Sequence, residues 1–294
     1  MANGNPVFDR LNKQIEKERY AGFGAPPPQG SPYQGTQPAT GGYAAQQTLS
    51  ADQLNEMYAR QSAGPVDTGR VTLDDVVMKS LSLFALLVAA GGVTWFMVDK
   101  TPSLASPLWL GGMLVGLGLG LAIAFMRKVA VPLIVLYAIA EGVFLGAFSF
   151  AINSVEKYQG VVPTAVLATV CTFAAMYAGY ATGLIKVTSK ARRMFTIAIG
   201  GYMIFLLLQF VLQMFGVLGG WGFGGSGGLG IVISLFGTGL AAYSLAIDFD
   251  SIDQAVKMGA PRKYSWLLAH GLIVSVVWLY IEILRIIAIV RGNN

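Results

Sequence analysis

Glu141 lies inside the run AVPLIVLYAIAEGVFLGAFSF, Asp248 ends the run ISLFGTGLAAYSLAID, and Glu282 and Arg285 share VVWLYIEILRIIAIV. Asp250 follows Asp248 by two positions, and Arg127 closes a further apolar run. An ionisable side chain in hydrocarbon costs at least ~2.5–3.5 kcal/mol on insertion scales, so each of these needs a partner and a reason to be there. Carboxylates can hold a proton or ligate a hard cation, and arginine supplies a fixed counter-charge. The chain has one cysteine, Cys171, and one histidine, His270. That excludes a disulfide framework, a thiolate zinc site and a multi-histidine metal centre. Any chemistry has to come from carboxylates, arginine and backbone, and no enzymatic constellation is visible.

Simpler readings stand beside each of these residues. Glu282 and Arg285, one turn apart, can neutralise each other within their own helix. Asp248, with Asp250 and Asp253 following, can mark the exit from the membrane. Glu141 can be a protonated carboxyl bonded to a neighbouring carbonyl. Arg127 and Lys128 can be anchors whose charged heads reach the lipid headgroups. His270 reads as a helix-end or packing residue.

The elements that position these groups follow from composition. Of 294 residues, 54% are hydrophobic and 12% charged, against roughly 25% charged in soluble domains. The chain is therefore read as an all-α integral membrane protein. Seven apolar runs, at 81–98, 107–126, 129–152, 162–185, 194–218, 229–248 and 271–290, approach or exceed the roughly 20 residues that cross ~30 Å of hydrocarbon. Before the first run, Thr72-Leu73-Asp74-Asp75 has the spacing of a helix cap and sets a helix start at that point. Glycines at 112, 116 and 120 recur every four residues, which lets a neighbouring helix approach closely. Residues 1–70, rich in Gly, Pro and Gln, cannot bury a core and are expected to form a disordered tail, with a short helix at 50–61 capped by Ser50. Residues 71–294 form the seven-helix domain.

Basic residues near the span ends set the orientation. With the amino terminus inside, the inner loops hold Arg127, Lys128, Lys186, Lys190, Arg192, Arg193, Lys257, Arg262 and Lys263, and the outer side holds Lys100, Lys157 and Arg291. The amino terminus is expected in the cytoplasm, the carboxyl terminus outside, and the glycine-rich 219–228 loop outside. The net charge of +5 reflects this topology. The basic residues are scattered singly between apolar runs, so a nucleic acid partner is not expected. A retinal pigment needs a lysine in its last helix, and the seventh span has none. Ala246-Ile247-Asp248 lacks the glycines of an intramembrane aspartyl protease, and no serine protease nucleophile with its histidine is arranged here.

The segments SLFGTGLAAYSLAIDFDSID, VVWLYIEILRII and AFMRKVAVPLIVLYAIAEG resemble the Bax inhibitor-1 family, the transmembrane BAX inhibitor motif proteins, over about residues 73–291. The amino-terminal extension with its NPVF start is most similar to the bacterial branch. The resemblance implies six helices around a central seventh and a pH-sensitive calcium leak in the cell membrane. It also implies that acids of the sixth and seventh helices, here Asp248 and Glu282, hydrogen-bond when protonated and link to an arginine of the second, here Arg127, as a latch. When the proton leaves, two repelling anions bind calcium or push the helices apart. Calcium is thus cargo or a transient ligand of Asp248 and Glu282, and no resident cofactor is expected. Glu141, Arg285 and Asp250 are additional candidates.

The two acids share a depth only if the residues around Met258–Leu267 form a helix extension or an interfacial segment. If the seventh helix begins near Arg262, Glu282 lies roughly 30 Å in, beyond the reach of Asp248, and Glu141 becomes its expected partner. The partners are then the lipid bilayer, calcium and protons. Two rival readings remain: a non-transporting regulator whose tail or loops bind a membrane protease or another membrane protein, and a proton-coupled exchanger.

Overall fold

A computed structural model describes residues 69–126, 128–219, 222 and 227–293. Among them, seven helices are long and apolar enough to cross a membrane. They are α1 (Leu73–Lys100), α2 (Ala105–Phe125), α3 (Val131–Asn153), α4 (Val161–Ala181), α5 (Ser189–Met214), α6 (Gly228–Lys257) and α7 (Tyr264–Asn293). Short 3₁₀ turns at Pro102–Leu104 and Glu156–Tyr158 lead into α2 and α4. The expected tail helix at 50–61, the rest of residues 1–68 and Arg127 lie outside the described residues.

Local sequence accounts for the helix ends. The Thr72 hydroxyl accepts from the Asp75 amide at 3.2 Å, which fixes the start of α1 where the capping pattern sets it. Thr188 does the same for α5 through Ala191, so this helix starts before the apolar run and carries Lys190, Arg192 and Arg193 in its opening turns. Pro132 sits in the first turn of α3, where its missing N–H costs nothing. α4 stops at Ala181, short of the expected 185, because Gly183 turns the chain and the Ile185 amide bonds back to the Gly179 carbonyl.

α7 is the most enclosed of the seven helices. α1, α3, α4 and α6 pack directly against it, and its axis is filled by Ile273, Leu279, Leu284 and Ile289. α2 lies behind α3. α5 leans on α6 and is the least buried. The closest approach is between α1 and α3: Gly91 faces Gly142 and Gly146, and a Cβ at either of the latter would run into α1 backbone. Large apolar side chains such as Leu81, Val88, Phe125, Leu167 and Ile197 stay exposed on the outside. That is the pattern of a lipid-facing surface.

The α6–α7 corner departs from expectation in a way that positions the candidate site. α6 does not end at Asp248 but runs on to Lys257, past all three acids. α7 begins at Tyr264, earlier than the apolar run. Between them Gly259 adopts φ +64°, a left-handed turn that any other L-residue resists. Residues 69–71 lie along this corner. Arg70 forms an antiparallel bridge with Pro261, the Val71 amide bonds the Ala260 carbonyl at 2.8 Å, and the Arg262 amide bonds the Gly69 carbonyl at 2.7 Å. Asp75 fastens the same corner, accepting from Lys79 at 2.6 Å and from Arg262 at 3.3 Å.

Candidate functional site

The late end of α6 and early start of α7 set the register between the two acid-bearing helices. Asp248 meets the first half of α7, where it accepts a hydrogen bond from the Ser275 hydroxyl. Gly271, one turn before Ser275, leaves room beside the same carboxylate. Glu282 lies further along α7, opposite Gly237 of α6, where an added Cβ would stand 2.7 Å from the Glu282 carboxyl carbon. Ser275 to Glu282 is about 10 Å along the helix, and Gly237 to Asp248 about 16 Å.

The expected hydrogen-bonded pair of Asp248 and Glu282 is therefore corrected: each acid has its own partners, about two to three turns apart. The cause is the start of α7 at Tyr264, which puts Glu282 about 27 Å into its helix. Among the described residues no group of three His, Cys, Asp or Glu side chains converges as a metal centre requires. A calcium ion held jointly by Asp248 and Glu282 does not fit this arrangement.

Glu282 is buried in an aromatic setting. Tyr202 of α5 donates to its Oε1 at 2.7 Å, and Trp278 Nε1, one turn earlier on α7, donates to the same oxygen at 3.2 Å. Tyr202 also packs on Trp278 and Phe236, with ring centroids 6.1 and 5.9 Å apart. Glu282 Oε2 is buried with no hydrogen-bond partner. Arg285 is buried alongside, bonds the Tyr202 hydroxyl and acts electrostatically on Glu282. The relation between Glu282 and Arg285 thus runs partly through a tyrosine of another helix. Only Gly237 leaves space for this cluster, since a Cβ there would collide with the Tyr202 hydroxyl.

Glu141 forms a third centre. Its carboxyl bonds the Tyr137 hydroxyl one turn earlier on α3 and presses against Gly116 of α2. Gly112 and Gly120, the other members of that glycine repeat, face Phe144 and Tyr137, so the repeat is a packing seam, as expected. Tyr137 in turn meets His270 of α7 edge to face, centroids 4.5 Å apart, and His270 is a packing residue. Glu141 bonds Tyr137 and not Glu282.

Asp250 is neutralised. It bonds the Arg192 guanidinium of α5 and accepts from Gln254 at 2.6 Å. The charge of Arg192 also reaches Asp248. Among the described residues the cation beside Asp248 and Asp250 is thus an arginine of the fifth helix, whereas the latch expected from Arg127 falls outside the described residues. The partners that sequence reasoning missed are Ser275, Tyr202 and Arg192. A serine and a tyrosine inside apolar runs carry no hydropathy signal, and Arg192 reads equally well as a topology marker.

The Bax inhibitor 1 like family model matches residues 5–292 of the chain. No curated protein matches it.

Proposed function

We propose that this chain, which belongs to the Bax inhibitor 1 like family, is a pH-sensitive calcium leak channel of the cytoplasmic membrane, with its amino terminus inside and its carboxyl terminus outside. The observation that carries this reading is the placement of three carboxylates, Asp248, Glu141 and Glu282, on three helices of an apolar bundle, each held by a hydroxyl donor. Asp248 and Glu141 stand about 14–15 Å from the basic end of their helices, and Glu282 about 27 Å in from the start of α7.

A hydroxyl donor can satisfy a carboxyl oxygen in either protonation state, so each acid can take up or lose a proton without dismantling the bundle. Protonated, the acids are neutral and the apolar interior opposes ions. Once ionised, each leaves a charge in a low-dielectric setting that a hard cation offsets, and carboxylate oxygens are natural calcium ligands. The switch works through separate acids at two depths, Asp248 and Glu141 at one and Glu282 at the other, with calcium passing as cargo and not resident.

The test is calcium entry into vesicles reconstituted with the full chain, over a pH series. Flux should rise as pH rises, and Asp248→Asn and Glu282→Gln should each flatten the dependence. Flux that ignores pH, or titrates as in the wild type in both variants, would overturn this reading. A chain that carries no calcium at any pH would leave the regulator reading in its place.

A further inference from the structure

Glu282 and Arg285 are one turn apart on α7, with the acid first, which is the order that favours a direct ion pair along a helix. Both are buried, and in a low-dielectric interior the attraction between them rises steeply as they approach. A third side chain nevertheless stands at the pair. The Tyr202 hydroxyl of α5 donates to Glu282 Oε1 at 2.7 Å and is hydrogen-bonded by Arg285, while Arg285 reaches Glu282 through its charge. Glu282 Oε2, the second oxygen of a two-pronged arginine–carboxylate pair, makes no hydrogen bond. Carboxylate and guanidinium are thus linked through a phenol.

This phenol is also what docks its helix. Of the 26 residues of α5, Tyr202 and Gln209 are the buried ones. Tyr202 crosses α6 at Gly237, where any side chain would meet its hydroxyl, and its ring sits among Phe205, Phe236 and Trp278 with centroids 6.1, 5.9 and 6.1 Å away. Three helices therefore set the position of the hydroxyl, and the spacing of Glu282 from Arg285 depends on α5 being in place.

We propose that Tyr202 is a positioning residue that keeps the tethered guanidinium of Arg285 off Glu282, so that the carboxylate charge remains for a passing cation to offset. Without the hydroxyl, Arg285, already inside the bundle and one turn away, closes on Oε2 and neutralises Glu282 from within its own helix. The contact follows from the geometry alone, whereas its effect on flux rests on the calcium reading.

The contact is tested by the coupling between Glu282→Gln and Arg285→Gln, taken from unfolding midpoints of the full chain in detergent as a double-mutant cycle, once with Tyr202 present and once in Tyr202→Phe. The coupling should be several-fold larger in Tyr202→Phe. Arg285→Met, which makes no ion pair, runs the same cycle if the amide variant does not fold. Coupling that is unchanged or smaller without the hydroxyl overturns the proposal. Flux is read in vesicles at one pH at which the wild type conducts calcium. Tyr202→Phe should cut it several-fold, Tyr202→Phe with Arg285→Gln should restore it, and Tyr202→Phe with Arg285→Lys, which keeps the charge, should not. Flux untouched by Tyr202→Phe, or lost alike in all three variants, overturns the role in transport. Wild-type vesicles that conduct no calcium at any pH overturn the calcium reading instead, and the coupling cycle then still decides the contact.

Discussion

Ser275 of α7 donates its hydroxyl to Asp248 of α6, two turns before the position on α7 where Glu282 takes its own partner from α5. On the proposed function the two acids respond to protons one by one, because neither carboxylate is the other's hydrogen-bond partner. Ser275→Ala should therefore change the pH dependence of calcium flux in the same sense as Asp248→Asn and leave the contribution of Glu282 in place. The double variant Asp248→Asn with Glu282→Gln should show the sum of the two single effects. Strong non-additivity in vesicle flux would mean that the acids are coupled after all.

Tyr202→Phe removes the shorter of the two hydrogen bonds to Glu282 Oε1 and leaves that buried oxygen with Trp278 alone. It should lower stability by about 1–3 kcal/mol, read as a fall in the unfolding midpoint in detergent.

Gly237→Ala tests the same cluster from α6. Alanine is the better helix former by about 1 kcal/mol, yet its Cβ would collide with the Tyr202 hydroxyl and the Glu282 carboxyl. The variant should be less stable than the wild type by about 1–3 kcal/mol, the usual cost of overpacking. Gly239→Ala, where nothing lies within reach of the added Cβ, is the control and should be neutral or stabilising.

Arg192 and Asp250 join α5 to α6 through an ion pair that is only slightly exposed. Arg192→Gln should cost about 1.5–3 kcal/mol. Pairing it with Asp250→Asn should recover part of the loss, and additivity in the unfolding measurement would mean that the pair contributes nothing as a pair.

Deleting residues 1–68 keeps Gly69 and Arg70 on the α6–α7 corner. Calcium flux in vesicles should persist after this truncation, whereas a protein acting only through its tail would lose its partner in a pull-down.

The seven spans, the cap at Thr72 and the packing role of the Gly112, Gly116 and Gly120 seam were all legible in sequence, because hydropathy, capping chemistry and small-residue spacing each leave a local mark. The register between α6 and α7 was not. It depends on how far α6 continues past Asp248, and that length is set partly by i,i+4 pairs within α6 and partly by Arg192 and Arg70, which are remote in sequence. Arg192 and Gln254 satisfy Asp250, Lys257 pairs with Asp253 at 2.5 Å, and Arg70 braces Gly259. With those contacts α6 stays helical past Asp248, and Glu282 lies beyond its reach. Tyr202 and Ser275 were equally silent, since nothing in a single span shows which hydroxyl will face a carboxylate of its neighbour.

The bridge between Arg70 and Pro261 gives the chain a mechanical property. A pull on the segment before Gly69 is borne by the corner joining α6 to α7 as well as by α1, so traction applied from that side would tug first on the hinge between the helices bearing Asp248 and Glu282.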